Sequence, residues 1–141
     1  MKNIFIDTNI VLDLLEKREE FYKEAQILFS NADQLTKINI FVSALTIANT
    51  YYILRKYYTN EIVKGIVAKF KILVEVLPVN DKIIELALLS DFKDFEDALQ
   101  YYTAIENNMD VIITRNKKDF NLSELPVFTA KEFLIIKKTL S

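Results

Sequence analysis

Near its N-terminus the chain carries the stretch Ile4-Phe5-Ile6-Asp7-Thr8-Asn9, in which three apolar residues are followed by three polar ones. A short run that is apolar throughout is typical of a strand buried on both faces of a parallel sheet. Asp, Thr and Asn cap helices, and the largely apolar residues 10–15 can form a short helix directly afterwards. The stretch therefore predicts a buried strand that ends in polar side chains at the start of a helix.

The same alternation of strand and helix signals continues along the chain. Further strands are predicted at residues 38–42, 111–113 and 127–128, and the segment 71–77, which Pro78 stops, could form another. Helical spacing of apolar residues predicts helices in the segments 21–31, 43–56, 61–70, 81–89, 94–105 and 131–138. Strands that alternate with helices indicate an α/β protein with a parallel sheet. Because no repeat or linker interrupts residues 1–141, we expect a single domain.

Composition excludes several classes of active site. The 141 residues contain no Cys and no His, which excludes Ser-His-Asp and Cys-His catalysis, disulfides, and thiolate or imidazole zinc sites. Gly65 is the only glycine, so neither a P-loop nor a GxGxxG turn can form. The formal net charge of -2 neither demands nor excludes nucleic acid. The chemistry left is that of carboxylates, with a hard metal ion if there is one, and of Lys, Tyr, Ser, Thr and Asn.

The sequence contains no sign of targeting or membrane insertion. Asp7 interrupts the first apolar run before a signal peptide could develop. No apolar run approaches the roughly 20 residues that a membrane-spanning helix needs. The lack of cysteine fits a reducing compartment. We therefore expect a cytoplasmic protein with no membrane partner.

Polar residues follow three of the predicted strands: Asp7-Thr8-Asn9, Ser43 and Thr114-Arg115-Asn116. Because the carboxyl ends of parallel strands share one edge of a sheet, these groups should converge on a crevice there. Asp97 joins them if its helix, which Asp94 caps, starts at the same edge. A purely structural interpretation is also open. Asp7 suits a helix cap, and Asp97, in the first turn of its helix, interacts favourably with the helix dipole.

In the order and spacing of five short pieces, the sequence resembles the PIN-domain family of metal-dependent ribonucleases, which includes the toxins of bacterial VapBC-type pairs. The five pieces fall within residues 3–133 and are Ile4-Phe5-Ile6-Asp7-Thr8-Asn9-Ile10, Ser43-Ala44-Leu45-Thr46, Glu96-Asp97-Ala98-Leu99, Ile113-Thr114-Arg115-Asn116 and Lys118-Asp119-Phe120. None is specific alone, and their combination carries the resemblance. It implies a three-layer PIN-like fold, with a central parallel sheet of four to five strands flanked by helices.

The resemblance also implies catalytic roles. Asp7 and Asp97 would be the carboxylates that bind Mg²⁺ or Mn²⁺. The family's fourth acid falls at Asn116, and Asp119 lies three residues further on and could substitute, so both count among the catalytic positions. The family's central Glu falls at Asn49. Two of the four expected carboxylates are thus amides.

The reaction that the resemblance implies is cleavage of single-stranded RNA. A divalent cation would offset the acidic cluster, polarise a phosphoryl oxygen and acidify a water for in-line attack. The expected substrate contacts lie around the strand ends and are Thr8, Asn9, Asn49, Thr114, Arg115 and Lys117, with Lys118, Arg55 and Lys56 as further phosphate contacts. A homodimer and a small antitoxin protein are the implied protein partners.

Two alternatives follow from the same residues. The amides at Asn49 and Asn116 fit a catalytically degenerate PIN-like module that binds RNA or a protein. Phosphotransfer at Asp7, as in haloacid-dehalogenase-like phosphatases, is disfavoured, because those enzymes need a second Asp at the position where this chain has Asn9. Asn49 lies on a predicted helix that is apolar almost all round, as a central helix would be, so its amide must be hydrogen-bonded or face the cleft.

Overall fold

A computed structural model of the chain describes residues 2–30 and 38–140, with side chains described as far as residue 137. The strands of the described chain are β1 (Asn3–Ile6), β2 (Asn39–Ser43), β3 (Glu75–Leu77), β4 (Val111–Ile113) and β5 (Val127–Phe128). Its helices are α1 (Thr8–Leu15), α2 (Tyr22–Ser30), α3 (Ala44–Leu54), α4 (Asn60–Leu73), α5 (Asp81–Leu89), α6 (Phe95–Glu106) and α7 (Ala130–Leu140), with a 3₁₀-helix at Lys117–Phe120.

The strands form one parallel sheet in the order β3-β2-β1-β4-β5, with β1 at its centre. Side chains of β1 alternate between two apolar layers. Ile4 and Ile6 pack with apolar residues of α1, α2 and α7 on one face of the sheet. Phe5 packs on the other face against Tyr101 and Ala104 of α6. Because helices cover both faces, β1 is apolar throughout, and the predicted three-layer α/β architecture is confirmed.

The helix caps form where the sequence predicts them. Asp7, Ser43 and Asp94 are the N-caps of α1, α3 and α6. In each case a side-chain oxygen accepts a hydrogen bond from a backbone N–H of the first turn. Two of these caps directly follow β1 and β2, which places the starts of α1 and α3 at the carboxyl edge of the sheet.

Three expectations about individual elements need correction. Residues 71–73 belong to α4 rather than to a strand, because the helix continues past buried Phe70 and β3 starts only at Glu75. The helix α3 ends at Leu54 rather than at residue 56. It is also not central: only one side is buried, and Tyr52 on the other side is 73% exposed. The predicted end of the second helix, at residue 31, lies outside the described residues.

Among the described residues, no helix combines the length and the apolar character that crossing a bilayer requires.

Candidate active site

A cavity of about 440 Å³ lies at the carboxyl edge of the sheet, between α1, α3, α6 and the segment after β4. Most of its lining is polar, and these residues are Asp7, Thr8, Asn9, Asn49, Lys56, Glu96, Asp97, Gln100 and Asn116. Leu12, Leu45, Tyr52 and Ile53 complete the wall. The structure thus brings together Asp7, Asp97, Asn49 and Asn116, which are far apart in sequence.

Asp7 is held rigidly at the floor of this cavity and is only 8% exposed. Its Oδ1 accepts hydrogen bonds from the backbone N–H of Thr8 (2.8 Å) and from Gln100 Nε2 (3.1 Å). Its Oδ2 accepts one from Thr114 Oγ1 (2.8 Å) and a long contact from Asn9 Nδ2 (3.4 Å). Burial raises the pKa of Asp7, while the bonds from Thr114 and Gln100 act in the opposite direction. Because a carboxylate has about four acceptor positions, a ligand at Oδ2 would replace the long contact from Asn9.

Gln100, which the sequence reasoning missed, connects three elements beneath the cavity. Its Nε2 donates to Asp7 Oδ1 and to Thr46 Oγ1 (2.8 Å), and its Oε1 accepts from Ser43 Oγ (2.5 Å). The side chain is buried. Its position one helical turn after Asp97 was the available signal, since residues three apart on a helix share a face.

Asp97 lies half-buried at the start of α6 and its backbone N–H donates to Asp94 Oδ1 (3.0 Å). Burial raises the pKa of Asp97 from 3.8 to about 7, and the negative charges of Asp94, Asp119, Asp7 and Glu96 act in the same direction. The cavity therefore concentrates negative charge that the fold does not neutralise, an arrangement typical of functional sites.

Glu96 adds a further carboxylate to the cavity lining, and the sequence reasoning did not assign it a role. Asn49 Nδ2 donates a hydrogen bond to Glu96 Oε1 (3.2 Å). The amide at position 49 therefore faces the cleft and holds an acid of the neighbouring helix. The signal in the sequence was the adjacent pair Glu96-Asp97, within a piece that carries the family resemblance.

Asp119 does not line this cavity but a neighbouring one of about 500 Å³. Asp97 lines both cavities, so they adjoin at that residue. Two exposed lysines, Lys93 and Lys118, also line the neighbouring cavity. Negative charge on Asp119 contributes to the raised pKa of Asp97, which shows that the two carboxylates are electrostatically coupled.

Three of the expected substrate contacts point elsewhere. Thr114 is fully buried and donates to Asp7 rather than facing the cavity. Arg115 Nε donates to Asp13 Oδ2 (2.9 Å), and Lys117 Nζ pairs with Glu132 Oε1 (3.0 Å). Neither of these two cations lines the cavity that holds Asp7.

Arg55, another expected phosphate contact, donates from Nη1 to the carbonyl oxygen of Tyr58 (2.9 Å). Lys56 does line the cavity, and Lys118 lines the neighbouring one. The basic residues named from the sequence thus divide into two that reach the cavities and three that bond elsewhere.

The donor atoms at the cavity fit a hard divalent cation. They are carboxylate and amide oxygens, with no thiolate or imidazole anywhere in the chain. Within the described part of the chain, no group of three acidic side chains forms a ready-made ligand cluster. Mg²⁺ does not require one, because one or two carboxylates suffice when waters and substrate phosphates complete its shell. Asp7 and Asp97 meet that minimum.

Comparison with known proteins gives consistent similarities. The sequence matches the family model of the PIN domain over residues 3–118. It is 28% identical to Ribonuclease VapC1 of Aquifex aeolicus (strain VF5), with 94% of this chain and 93% of that protein covered. The fold is similar to a toxin-antitoxin complex from Klebsiella pneumoniae, with a TM-score of 0.67 and 24% identity over 90% of this chain and 97% of that one. It is also similar to DNA-bound VapBC from Salmonella typhimurium, with a TM-score of 0.70 and 16% identity over 92% of this chain and 98% of that one.

Proposed function

The chain belongs to the PIN-domain family, and on that premise we propose that it is an endoribonuclease that uses Mg²⁺ or Mn²⁺ to hydrolyse single-stranded RNA. The observation that carries the proposal is the meeting of Asp7 and Asp97 in one cavity at the carboxyl edge of the sheet. Similarity to Ribonuclease VapC1 over almost the full length of both chains supports the same activity.

The carboxylates of the cavity and the residues that hold them have defined tasks in this proposal. Asp7 and Asp97 would hold the cation, and Glu96, which accepts a hydrogen bond from Asn49, would supply a further negative charge in the same cavity. Thr114 and Gln100 keep the Asp7 carboxylate in one orientation, so no rearrangement is needed when substrate arrives. A divalent cation bound there would supply polarisation of a phosphoryl oxygen and a lower pKa for a bound water.

In this proposal the RNA backbone contacts the lysines that line the two cavities. Lys56 lines the cavity that holds Asp7, and Lys93 and Lys118 line the one that adjoins it at Asp97. An RNA strand that contacts these three lysines passes its phosphates across Asp97. Because three cations are few, affinity is modest and depends strongly on salt.

We also propose a small antitoxin protein as partner. Similarity to toxin-antitoxin assemblies from Klebsiella pneumoniae and Salmonella typhimurium supports this partner. Largely exposed Tyr52 stands with Leu45 and Ile53 at the cavity, where they offer apolar contact to a protein that covers the site. Co-purification of this chain with the product of a small upstream reading frame would test the proposal. The homodimer that the family resemblance implies is a separate proposal.

The activity is tested with purified protein and a labelled single-stranded RNA. We expect cleavage with millimolar Mn²⁺ and none with EDTA. The variants Asp7→Asn and Asp97→Asn should lose cleavage, whereas Asp81→Asn, the same change in the first turn of α5, should retain it. Equal cleavage by Asp7→Asn and wild type would refute the assignment of the site. If the protein binds RNA but neither cleaves it nor binds Mn²⁺, it is instead the degenerate binding module.

A further inference from the structure

Arg115 follows the strand β4 at the edge of the active-site cavity, yet its guanidinium group lies in a different cavity of about 470 Å³. There, Nε donates to Asp13 Oδ2 at 2.9 Å. The guanidinium carbon also lies over the ring of Phe21, 4.2 Å from the ring centroid. Both contacts hold the arginine against α1 and the segment before α2, and Arg115 does not line the first cavity.

Within the described residues, Arg115 donates the side-chain hydrogen bond that the buried carboxylate of Asp13 accepts. Asp13 is 1% exposed, whereas the side chain of Arg115 is 26% exposed. Burial raises the pKa of Asp13, and the hydrogen bond from Arg115 opposes that effect. The other oxygen, Oδ1, accepts no hydrogen bond within the described residues and has Arg18 Nη1 at 3.6 Å. If the Arg115 contact opened, the buried carboxylate would keep the more distant Arg18 but lose its hydrogen bond, which is unfavourable for a buried polar group, so the contact resists opening.

The backbone around Arg115 is part of the same network as the catalytic carboxylate. The Arg115 N–H donates to Asn9 Oδ1 (3.2 Å), and the Asn116 N–H donates to Thr114 Oγ1 (3.1 Å). The side chains of Asn9 and Thr114 also donate to Asp7. Asn116 lines both the active-site cavity and the cavity that holds the guanidinium group, so it forms the wall between them.

Asp119 is linked to this wall, because its N–H donates to the carbonyl oxygen of Asn116 (3.0 Å). A shift of the backbone at Arg115 would therefore move Asn116 and Asp119 together. Misplacement of a catalytic group by about 1 Å can cost on the order of a hundredfold in rate.

We propose that Arg115, held by buried Asp13, is a positioning residue that sets residues 115–119 against the active-site cavity, and is not a contact for an RNA phosphate. Its kinetic consequences rest on the proposed ribonuclease function. The contacts themselves can be tested without that function.

The first test compares two conservative variants, Arg115→Lys and Asp13→Asn. Lysine keeps the positive charge but has no equivalent of the Nε that donates to Asp13. We expect kcat for RNA cleavage to fall about tenfold or more in both variants, with KM within about twofold of wild type. The salt dependence of RNA binding should stay unchanged in both. If Arg115 instead contacts an RNA phosphate, Arg115→Lys should keep a normal kcat. A third variant, Arg115→Ala, should then show a salt slope of RNA binding that is smaller by about 0.7. That pair of results would overturn the proposal.

The double variant and a stability control separate positioning from loss of stability. If the two residues act only through each other, the double variant should lose no more kcat than either single variant. Val63→Ala removes a fully buried methyl pair from α4 and serves as the control for a lowered Tm. We expect it to keep normal kcat at a temperature where it remains folded. Additive losses of kcat in the double variant would contradict the proposal.

Amide hydrogen exchange tests the positioning independently of catalysis. The amides of Arg115 and Asn116 should exchange faster in Asp13→Asn and Arg115→Lys, while those of Ile112 and Ile113 in β4 stay protected. If wild-type protein cleaves no RNA, the proposed function fails, yet the exchange rates still decide whether Arg115 positions the segment. Unchanged exchange in both variants would refute the positioning role even in an active ribonuclease.

Discussion

Replacement of Asp97 by Asn should stabilise the protein at alkaline pH when no divalent cation is present. Burial and four neighbouring acids raise the pKa of Asp97 from 3.8 to about 7 in the folded chain. A carboxyl group whose pKa is higher when folded stabilises the fold below its unfolded pKa, and this stabilisation is lost as the pH rises through the folded value. Wild-type protein should therefore lose stability between about pH 4 and pH 8 through this group, and Asp97→Asn should not.

The size of the effect follows from the same pKa values. Taken in full, a rise from 3.8 to about 7 corresponds to about 4 kcal/mol in the free energy of unfolding. Asp97 is only half-buried, so water and salt screen much of this energy. We therefore expect Asp97→Asn to be about 1 to 2 kcal/mol more stable than wild type at pH 8. At pH 4 the two proteins should be about equal.

Urea unfolding in EDTA at pH 4, 6, 7 and 8 measures this difference directly. Asp81→Asn, which makes the same change in the first turn of α5, is the control and should follow wild type at every pH. Repeating the series in millimolar Mn²⁺ should stabilise wild type and leave Asp97→Asn almost unaffected, because binding to the folded state alone raises stability. If Asp97→Asn instead loses stability equally at all pH values, Asp97 is a structural residue of the helix start and the reasoning is refuted.

The remaining predictions concern the lining and floor of the cavity and its basic residues. Asn49→Glu should place a carboxylate beside Glu96 and lower the apo Tm, with recovery in millimolar Mn²⁺; an equal loss in both conditions would contradict a cleft-facing position. Gln100→Ala should lower the free energy of unfolding by about 2 to 3 kcal/mol and reduce cleavage, because it removes hydrogen-bond partners from buried polar atoms. Urea unfolding and RNA cleavage assays measure these two effects. Lys56→Gln should reduce the salt slope of RNA binding by about 0.7, whereas Lys117→Gln should not; equal slopes would contradict the proposed RNA path.

Local signals were sufficient for most of the secondary structure. The apolar run at residues 4–6 and the caps at Asp7, Ser43 and Asp94 correctly marked where strands end and helices begin. This succeeds because a cap and the periodicity behind it involve residues within about one helical turn. The segment 71–77 was less informative, since its first part continues α4 and only its end pairs with β2. Local sequence cannot decide between those two states, because packing partners from other elements do so.

The candidate site divides in the same way. Sequence order and the family resemblance pointed to Asp7 and Asp97, since both mark helix starts that a parallel sheet gathers at one edge. The roles of Gln100 and Arg115 depend on partners far along the chain. Gln100 bonds to Asp7 across 93 positions, and Arg115 bonds to Asp13 across 102. A buried carboxylate is stabilised by a hydrogen-bond donor, and a long polar side chain can reach one in several directions. Only the tertiary structure therefore determined that Arg115 bonds to Asp13 instead of facing the cavity.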